Sequence, residues 1–152
     1  MINNQAIFAA GCFWGVEENF RKVQGVYSTS VGYCGGYKEN PTYEEVCSNL
    51  TGHAEAVLIE FNPKIITYSS LLNEFWVCHD PTTIDRQGRD IGSQYRSEIF
   101  YFDENQKDYA ENSKEEFSKQ NKIVIVTKIT QATKFYLAED YHQKYIQKNY
   151  KK

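Results

Sequence analysis

The sequence predicts an α/β (α+β) fold: a two-layer sandwich whose mixed, partly antiparallel sheet carries flanking helices and long functional loops. Three observations predict it. β-patterned runs alternate with helix-patterned ones in the order β-α-β-(loop)-β-α-(loop)-β-α-β-α. Gly-, Asn- and Pro-containing breaks separate the runs. The chain has 152 residues, the size of one domain spanning 1–152, which can bury a core without disulfide or metal staples.

Each element has its own signal. Ala6–Ala10 is a short apolar run, read as a buried strand. Phe13 to about Lys22 places Trp14, Glu17, Glu18 and Arg21 at helical spacings, and Gly25 closes it. Val26 to Tyr33 alternates as a strand. Gly35-Gly36 and Asn40-Pro41 then open a loop running to about Gly52, a length that in a compact domain marks function. Ala54 to Phe61 alternates again. Tyr68 to His79 is an amphipathic helix bearing Leu71, Leu72, Phe75 and Trp76. Asp80 to Gly92 is a second long loop, rich in Asp, Arg and Gly. Arg96 to Phe102 reads as a strand, Glu104 to about Gln120 as a charged helix, Ile123 to Ile129 as a strand, and Ala138 to about Lys148 as a closing helix.

Composition excludes several classes. Hydrophobic residues at 41% and charged residues at 24% describe an ordinary globular domain. A formal net charge of −3 argues against a nucleic-acid binder. Lys144, Lys148, Lys151 and Lys152 read as a solvated basic end of the last helix. No apolar run reaches the roughly 18–20 residues of a membrane span. Ala9-Ala10-Gly11-Cys12 imitates a lipoprotein box, but no Lys or Arg precedes it and the apolar run is short. The expectation is a leaderless, cytoplasmic monomer. The content of 12 Tyr, 9 Phe and 2 Trp is high, suited to a core and to a pocket for a polarisable ligand.

The four cysteines at 12, 34, 47 and 78 are widely spaced, with no C-x-x-C pair, and in a reducing compartment they are free thiols. Cys12 differs from the others in its surroundings, Gly11-Cys12-Phe13-Trp14-Gly15. It follows a strand and opens a helix, where backbone N–H groups favour a thiolate; the alternative is an inert buried thiol. Glu55 heads an alternating strand and either points inward as an acid of raised pKa or outward into solvent. Tyr95 is either a hydrogen-bond donor to a ligand oxygen or core, and Asp90 either a peptide acceptor or a loop cap. His53, beside Gly52, reads as a satisfied loop residue.

These residues sit within a longer pattern. Gly11-Cys12-Phe13-Trp14-Gly15, Val31-Gly32-Tyr33 with Gly35-Gly36, Asn40-Pro41-Thr42-Tyr43, Val46-Cys47-Ser48, Thr51-Gly52-His53-Ala54-Glu55, His79-Asp80-Pro81-Thr82-Thr83 and Asp85 to Ser97 resemble, in order, the motifs of the A-type peptide methionine sulfoxide reductases (the MsrA family). The segment Ala138–Tyr145 is similar as well. The resemblance implies a thiol-dependent peptide-methionine (S)-S-oxide reductase, an enzyme that repairs oxidative damage by returning methionine-S-sulfoxide, free or in proteins, to methionine. It implies Cys12 as nucleophile on the sulfoxide sulfur and Glu55 as proton donor to the oxygen. Tyr43 and Tyr95 would hydrogen-bond that oxygen, Phe13 and Trp14 would hold the methyl group, and Asp90 the substrate backbone. It implies no metal and no cofactor.

The chain departs from the pattern at three places. Many members carry recycling cysteines in a Gly-rich C-terminal tail, whereas no Cys follows Cys78 here. Cys34 stands where Ala is usual, and Asn49 where Gly is common, the latter implying a local loop change only. Either an external thiol (thioredoxin, or glutathione with glutaredoxin) reduces the Cys12 sulfenic acid, or Cys34 or Cys47 resolves it internally. The external route is favoured, because a resolving Cys needs a mobile segment to bring the sulfurs together. Cys47 otherwise reads as structural and Cys78 as buried. Rival readings are a one-Cys peroxidase acting through Cys12, a peptide-binding module, and a zinc site from Cys34, Cys47 and His53, which lacks close ligand pairing.

Overall fold

The computed structural model describes residues 4–150. Along the chain run β1 (Gln5–Ala10), α1 (Phe13–Arg21), β2 (Val26–Cys34), α2 (Tyr43–Cys47), β3 (Ala54–Phe61), α3 (Tyr68–Val77), β4 (Arg86–Gln87), β5 (Asp90–Ile91), β6 (Ser97–Tyr101), α4 (Glu104–Asn121), β7 (Lys128–Gln131), β8 (Tyr136–Leu137) and α5 (Tyr145–Asn149). Single 3₁₀ turns lie at Ser93–Tyr95 and Asp140–His142. The main sheet has six strands in the order β7-β6-β1-β3-β2-β8. All its pairs are antiparallel except β6 with β7. This is the mixed sheet with flanking helices that the alternation predicts.

The pleat sorts the strand residues between two faces. Ala6, Phe8, Ala10, Val31, Tyr33, Val57, Ile59 and Ile99 face the helices and join Phe13 and Phe20 of α1 and Leu71, Leu72, Phe75 and Trp76 of α3 in the main core. Each such large apolar side chain contributes about 1.5–3 kcal/mol when fully buried. Ile7, Ala9, Cys34, Ala54, Ala56 and Phe100 take the opposite face, closed by a thinner cover that includes Phe102, Ala132 and Phe135. Facing residues share a side, so the Tyr33–Glu55 pair across β2 and β3 turns toward the helices, and the Cys34–Ala54 pair turns away.

Four segments differ from the sequence-based expectation. Residues 123–127 alternate as a strand would, with Ile125 and Thr127 buried, yet the ladder begins only at Lys128. Their backbone bonds go elsewhere: Val126 N–H to the Pro81 carbonyl, and Lys114 Nζ to the Thr127 carbonyl. Alternation reports an extended backbone, not a paired one. The closing helix expected from Ala138 to Lys148 is instead a strap of β8, a 3₁₀ turn and the short α5. Lys144 breaks it at φ 55°, where the buried Glu17 carboxylate accepts the Lys144 N–H at 2.8 Å. The first long loop contains α2, started by a capping box in which Thr42 and Glu45 satisfy each other's backbone N–H groups. The second folds into the β4–β5 hairpin.

Candidate active site

Gly11 ends β1 with φ 102°, a conformation a side chain resists, and swings the chain off the sheet into α1. Cys12 therefore caps the N-terminus of α1, half-buried. The N–H groups of Trp14 and Gly15 do favour its thiolate, as the sequence position predicts. Burial outweighs them, with the charge of Glu55 second and that of Asp90 adding, and pushes the thiol up to about 11. In the resting protein Cys12 is a thiol.

Glu55 lies inside, 1% exposed, on the helical face of β3. One carboxylate oxygen accepts the Phe13 N–H at 3.1 Å. The other is buried with no hydrogen-bond partner among the described residues. Burial raises the acid to about 7 and Asp90 adds to the rise, while the Phe13 N–H and the Gln94 side chain oppose it. The charges of Glu55, Asp90, Cys47 and Cys12 all reach the half-buried Tyr95, whose hydroxyl burial first pushes up to about 12. Burial followed by Glu55 likewise raises the Tyr43 hydroxyl. Both phenols are donors at neutral pH. Asp90, on β5, is exposed beside this group.

An aromatic wall flanks the thiol. Phe13 stacks on Tyr43 with ring centres 6.3 Å apart, and Trp14 stacks on Tyr145 at 3.8 Å. Two polar residues fix the wall from behind. Glu139 accepts the Tyr33 hydroxyl at 2.8 Å and the Tyr43 N–H at 3.0 Å, and His142 Nδ1 accepts the indole N–H of Trp14 at 2.8 Å. The strap that carries them seats on β2. The Gln143 amide bonds both the N–H and the carbonyl of Val31 at 2.9 Å. A Cβ on Gly32 would lie 2.4 Å from the Tyr136 carbonyl, so only glycine admits this approach. Arg96 ties the two long loops together, binding the carbonyls of Gly52 and Ser93 at 2.9 Å and Glu98 at 2.7 Å.

The fold thus gathers Cys12, Glu55, Tyr43, Tyr95, Phe13, Trp14 and Asp90 at one place. Cys34 does not join them: it is fully buried on the far face of the sheet. Cys47 closes α2 one helical turn after Tyr43, and its thiol faces Tyr43 and Gln94. Cys78 is half-buried rather than buried. His53 is satisfied on both ring nitrogens, by the Gly36 N–H at 3.0 Å and the Lys38 carbonyl at 2.7 Å. Asn49 adopts φ 64°, a left-handed value Asn tolerates, so the loop keeps a glycine-like turn. Glu139, His142 and Tyr145 are the residues that sequence reasoning does not single out. They sit in a segment whose spacing resembles a plain helix.

The model of the family described as peptide methionine sulfoxide reductase matches residues 4–152. The chain belongs to that family. It is 58% identical over 146 residues to peptide methionine sulfoxide reductase MsrA of Methanosarcina acetivorans, covering 95% of this chain and 78% of that one. Among solved structures, reduced Mxr1 from Saccharomyces cerevisiae superposes with a TM-score of 0.90 at 37% identity, covering 97% of this chain and 86% of that one. Mxr1 in complex with Trx2 superposes with a TM-score of 0.67 at 27% identity, covering 93% and 83%. The family and these relatives make the chain an oxidoreductase of the methionine sulfoxide reductase type, and no helix among the described residues is long and apolar enough to cross a membrane.

Proposed function

We propose that the chain reduces methionine-S-sulfoxide, free or in polypeptides, with Cys12 as nucleophile and Glu55 as the group that hands a proton to the sulfoxide oxygen. The observation that carries this reading is the Glu55 carboxyl: fully buried, raised to about 7, with one oxygen held by the Phe13 N–H and the other without a hydrogen bond among the described residues. A sulfoxide oxygen leaves only when protonated, so a soft nucleophile needs an acid of this kind opposite it.

The steps balance with a single proton shared by Cys12 and Glu55. Glu55 takes the thiol proton, the thiolate attacks the sulfoxide sulfur, and Glu55 delivers the proton to the oxygen. The hydroxyl passes to the Cys12 sulfur as the methionine sulfur leaves, so methionine is reduced and Cys12 becomes a sulfenic acid. Tyr43 and Tyr95 donate to the oxygen while negative charge builds on it. Phe13 and Trp14 receive the methyl group, a site that a polar oxygen would leave unsatisfied, which selects the epimer. Asp90, exposed at the rim, accepts from a substrate peptide N–H.

Recycling is external. A thiol attacks the sulfenic acid and expels water, and a second thiol frees Cys12. Thioredoxin is the proposed reductant, supported by the assembly of Mxr1 with Trx2; glutathione with glutaredoxin could supply the same two thiols. Burial of Cys34 on the opposite face of the sheet from Cys12 speaks against it as the resolving residue. Cys47 is the one internal alternative with support, because its thiol faces Tyr43. The proposed enzyme acts as a cytoplasmic monomer.

A single turnover without added reductant tests all of this. Reduced protein mixed with each epimer of an N-blocked methionine sulfoxide is expected to yield about one methionine per chain from the S-epimer alone, with Cys12 trapped as the sulfenic acid. A Cys12–Cys47 disulfide would move recycling inside the chain. No methionine from either epimer would overturn the assignment in favour of a peroxidase.

A further inference from the structure

The hairpin that carries Asp90 has no apolar anchor. From Ile84 to Ile91 every residue but Gln87 is exposed, and the two large apolar side chains, Ile84 and Ile91, are 74% and 66% exposed. Gln87 is the one inward residue, and it makes two kinds of contact. Its amide clasps the backbone of Asp80: Oε1 accepts the Asp80 N–H at 2.9 Å, and Nε2 donates to the Asp80 carbonyl at 2.5 Å. A glutamine amide donates and accepts at once, which no apolar side chain of that length does. Its stem rests on the turn that delivers Cys12, because a Cβ on Gly11 would lie 2.9 Å from Cγ of Gln87 and 3.1 Å from its Cβ. Gln87 is also the cross-strand partner of Asp90 in the β4–β5 pair. Directly opposite residues of an antiparallel pair turn their side chains to one face, with Cβ atoms about 4.5–5.5 Å apart. The face on which Gln87 meets Gly11 is therefore the face on which Asp90 turns toward Cys12, and the charge of Asp90 reaches Cys12, Glu55 and Tyr95.

We propose that Gln87 is a positioning residue: its clasp on Asp80 and its seat on Gly11 hold the β4–β5 hairpin with Asp90 turned to Cys12, and so set how well the site recognises a substrate peptide N–H. The inference rests on the reading of Asp90 as the acceptor of that N–H, and it gives Gln87 no contact with substrate. The peptide N–H is remote from the reacting sulfur and is bound alike before and during the reaction. Losing the seat therefore weakens binding uniformly and raises KM rather than lowering kcat. Asp80 is exposed, so water takes over its backbone groups in a variant and the fold survives the loss. A substrate without the N–H has nothing to lose.

The test uses the full chain and two substrates, an N-blocked methionine-S-sulfoxide amide and its N-methylated analogue, which lacks the N–H. In the parent, N-methylation is expected to raise KM about tenfold. Gln87→Met keeps the stem against Gly11 and removes both bonds to Asp80. It is expected to raise KM for the N–H substrate about tenfold with kcat within about twofold, and to leave KM for the N-methylated one within about twofold. Equal loss on both substrates, or parent-like discrimination in Gln87→Met, would overturn the proposal. In a cycle with Asp90→Ala, a double variant no worse than Asp90→Ala supports the seat, and additive losses overturn it. If Gln87→Met shifts backbone amide signals in β1 or β3, Gln87→Asn, whose amide is one methylene too short to span both Asp80 groups, is read in its place against the same outcomes. A parent indifferent to N-methylation would defeat the Asp90 reading and the proposal with it, whereas a discriminating parent with a discriminating Gln87→Met defeats the proposal alone. If the parent reduces neither substrate, the reductase reading fails separately; an unmoved Asp90 carboxyl signal in Gln87→Met would then still overturn the seat, and a moved one would support it.

Discussion

Glu17 and Glu55 are each 1% exposed, and the surroundings of the two carboxylates are opposite. Glu17, in the middle of α1, is fully partnered. Thr29 donates to it at 2.8 Å, the Lys144 N–H at 2.8 Å, and the Lys144 ammonium lies 3.0 Å away. Glu55 receives one backbone N–H, the Gln94 side chain is the other group that favours its carboxylate, and one of its oxygens makes no hydrogen bond among the described residues. Asp90 is the one charge among the groups that shift it, and no cation is among them. Burial alone does not make an acid. Burial with a full set of donors and a cation makes a structural anchor, and burial with few donors and no cation makes a group that holds a proton near neutrality.

The largest expected effect separates the thiol from the environment. Cys12→Ser is expected to abolish turnover, below about 10⁻⁴ of the parent rate. The thiol is not among the causes that raise Glu55, so the carboxyl should still titrate near 7 in that variant by ¹³C NMR; a return to an ordinary carboxylate value would show that the contrast between the two glutamates depends on the sulfur. Next, Glu55→Gln is expected to lower kcat/KM by about 10²–10⁴-fold and to change the shape of its pH profile. In the parent, Cys12 and Glu55 must hold one proton between them. The rate therefore falls as pH drops below about 7, where both are protonated, and as it rises above about 11, where neither is. With Gln at 55 only the thiol titrates, and the rate should climb about tenfold per pH unit across the range where the parent is flat. A parallel profile in the two proteins would sink the shared-proton step.

Smaller effects concern stability. Glu17→Gln is expected to cost about 2–4 kcal/mol by leaving the Lys144 contacts half-made, visible as a lower urea midpoint, with the Cys12 chemistry retained in whatever fraction is folded. Glu55→Gln should do the reverse. The folded acid titrates at about 7 against an ordinary value of 4.5, so the folded state binds the extra proton between those values. Stability from this group is complete below 4.5 and is lost as pH rises through 7. At pH 8 the neutral amide is expected to gain about 1–3 kcal/mol over the parent, and at pH 4 nothing. A destabilised Glu55→Gln at pH 8 would mean that Glu55 is an anchor like Glu17.

Much of this was open to the sequence. Gly11 through Gly15 display a strand end, a helix start and a thiol between them, and β3 displays Glu55 at an inward position of its alternation. What stayed hidden has physical causes. Residues 123–127 alternate correctly, but pairing depends on whether a neighbouring strand reaches them. Thr42 and Glu45 carry a legible capping box, yet α2 is one turn long and sits among turn residues that mask it. The strap from Tyr136 to Asn149 is held by side chains bonding distant backbone: Gln143 to Val31, Glu139 to Tyr43, Lys144 to Glu17. Such bonds leave no periodicity. Cys34 and Cys47 look equivalent as spacings, and only the pleat separates them.

The strap also sets when the protein can work. Trp14 meets its acceptor 128 residues later and Tyr43 its own 96 residues later. Synthesis proceeds from the N-terminus, so Cys12, the proposed nucleophile, leaves the ribosome well before the strap that completes its setting. For most of that interval a nascent chain carries Cys12 without the wall behind it. Contacts of such long range also form late and slowly in folding, and the thiol of an unfinished chain is then an ordinary one, competent for oxidation and not for repair.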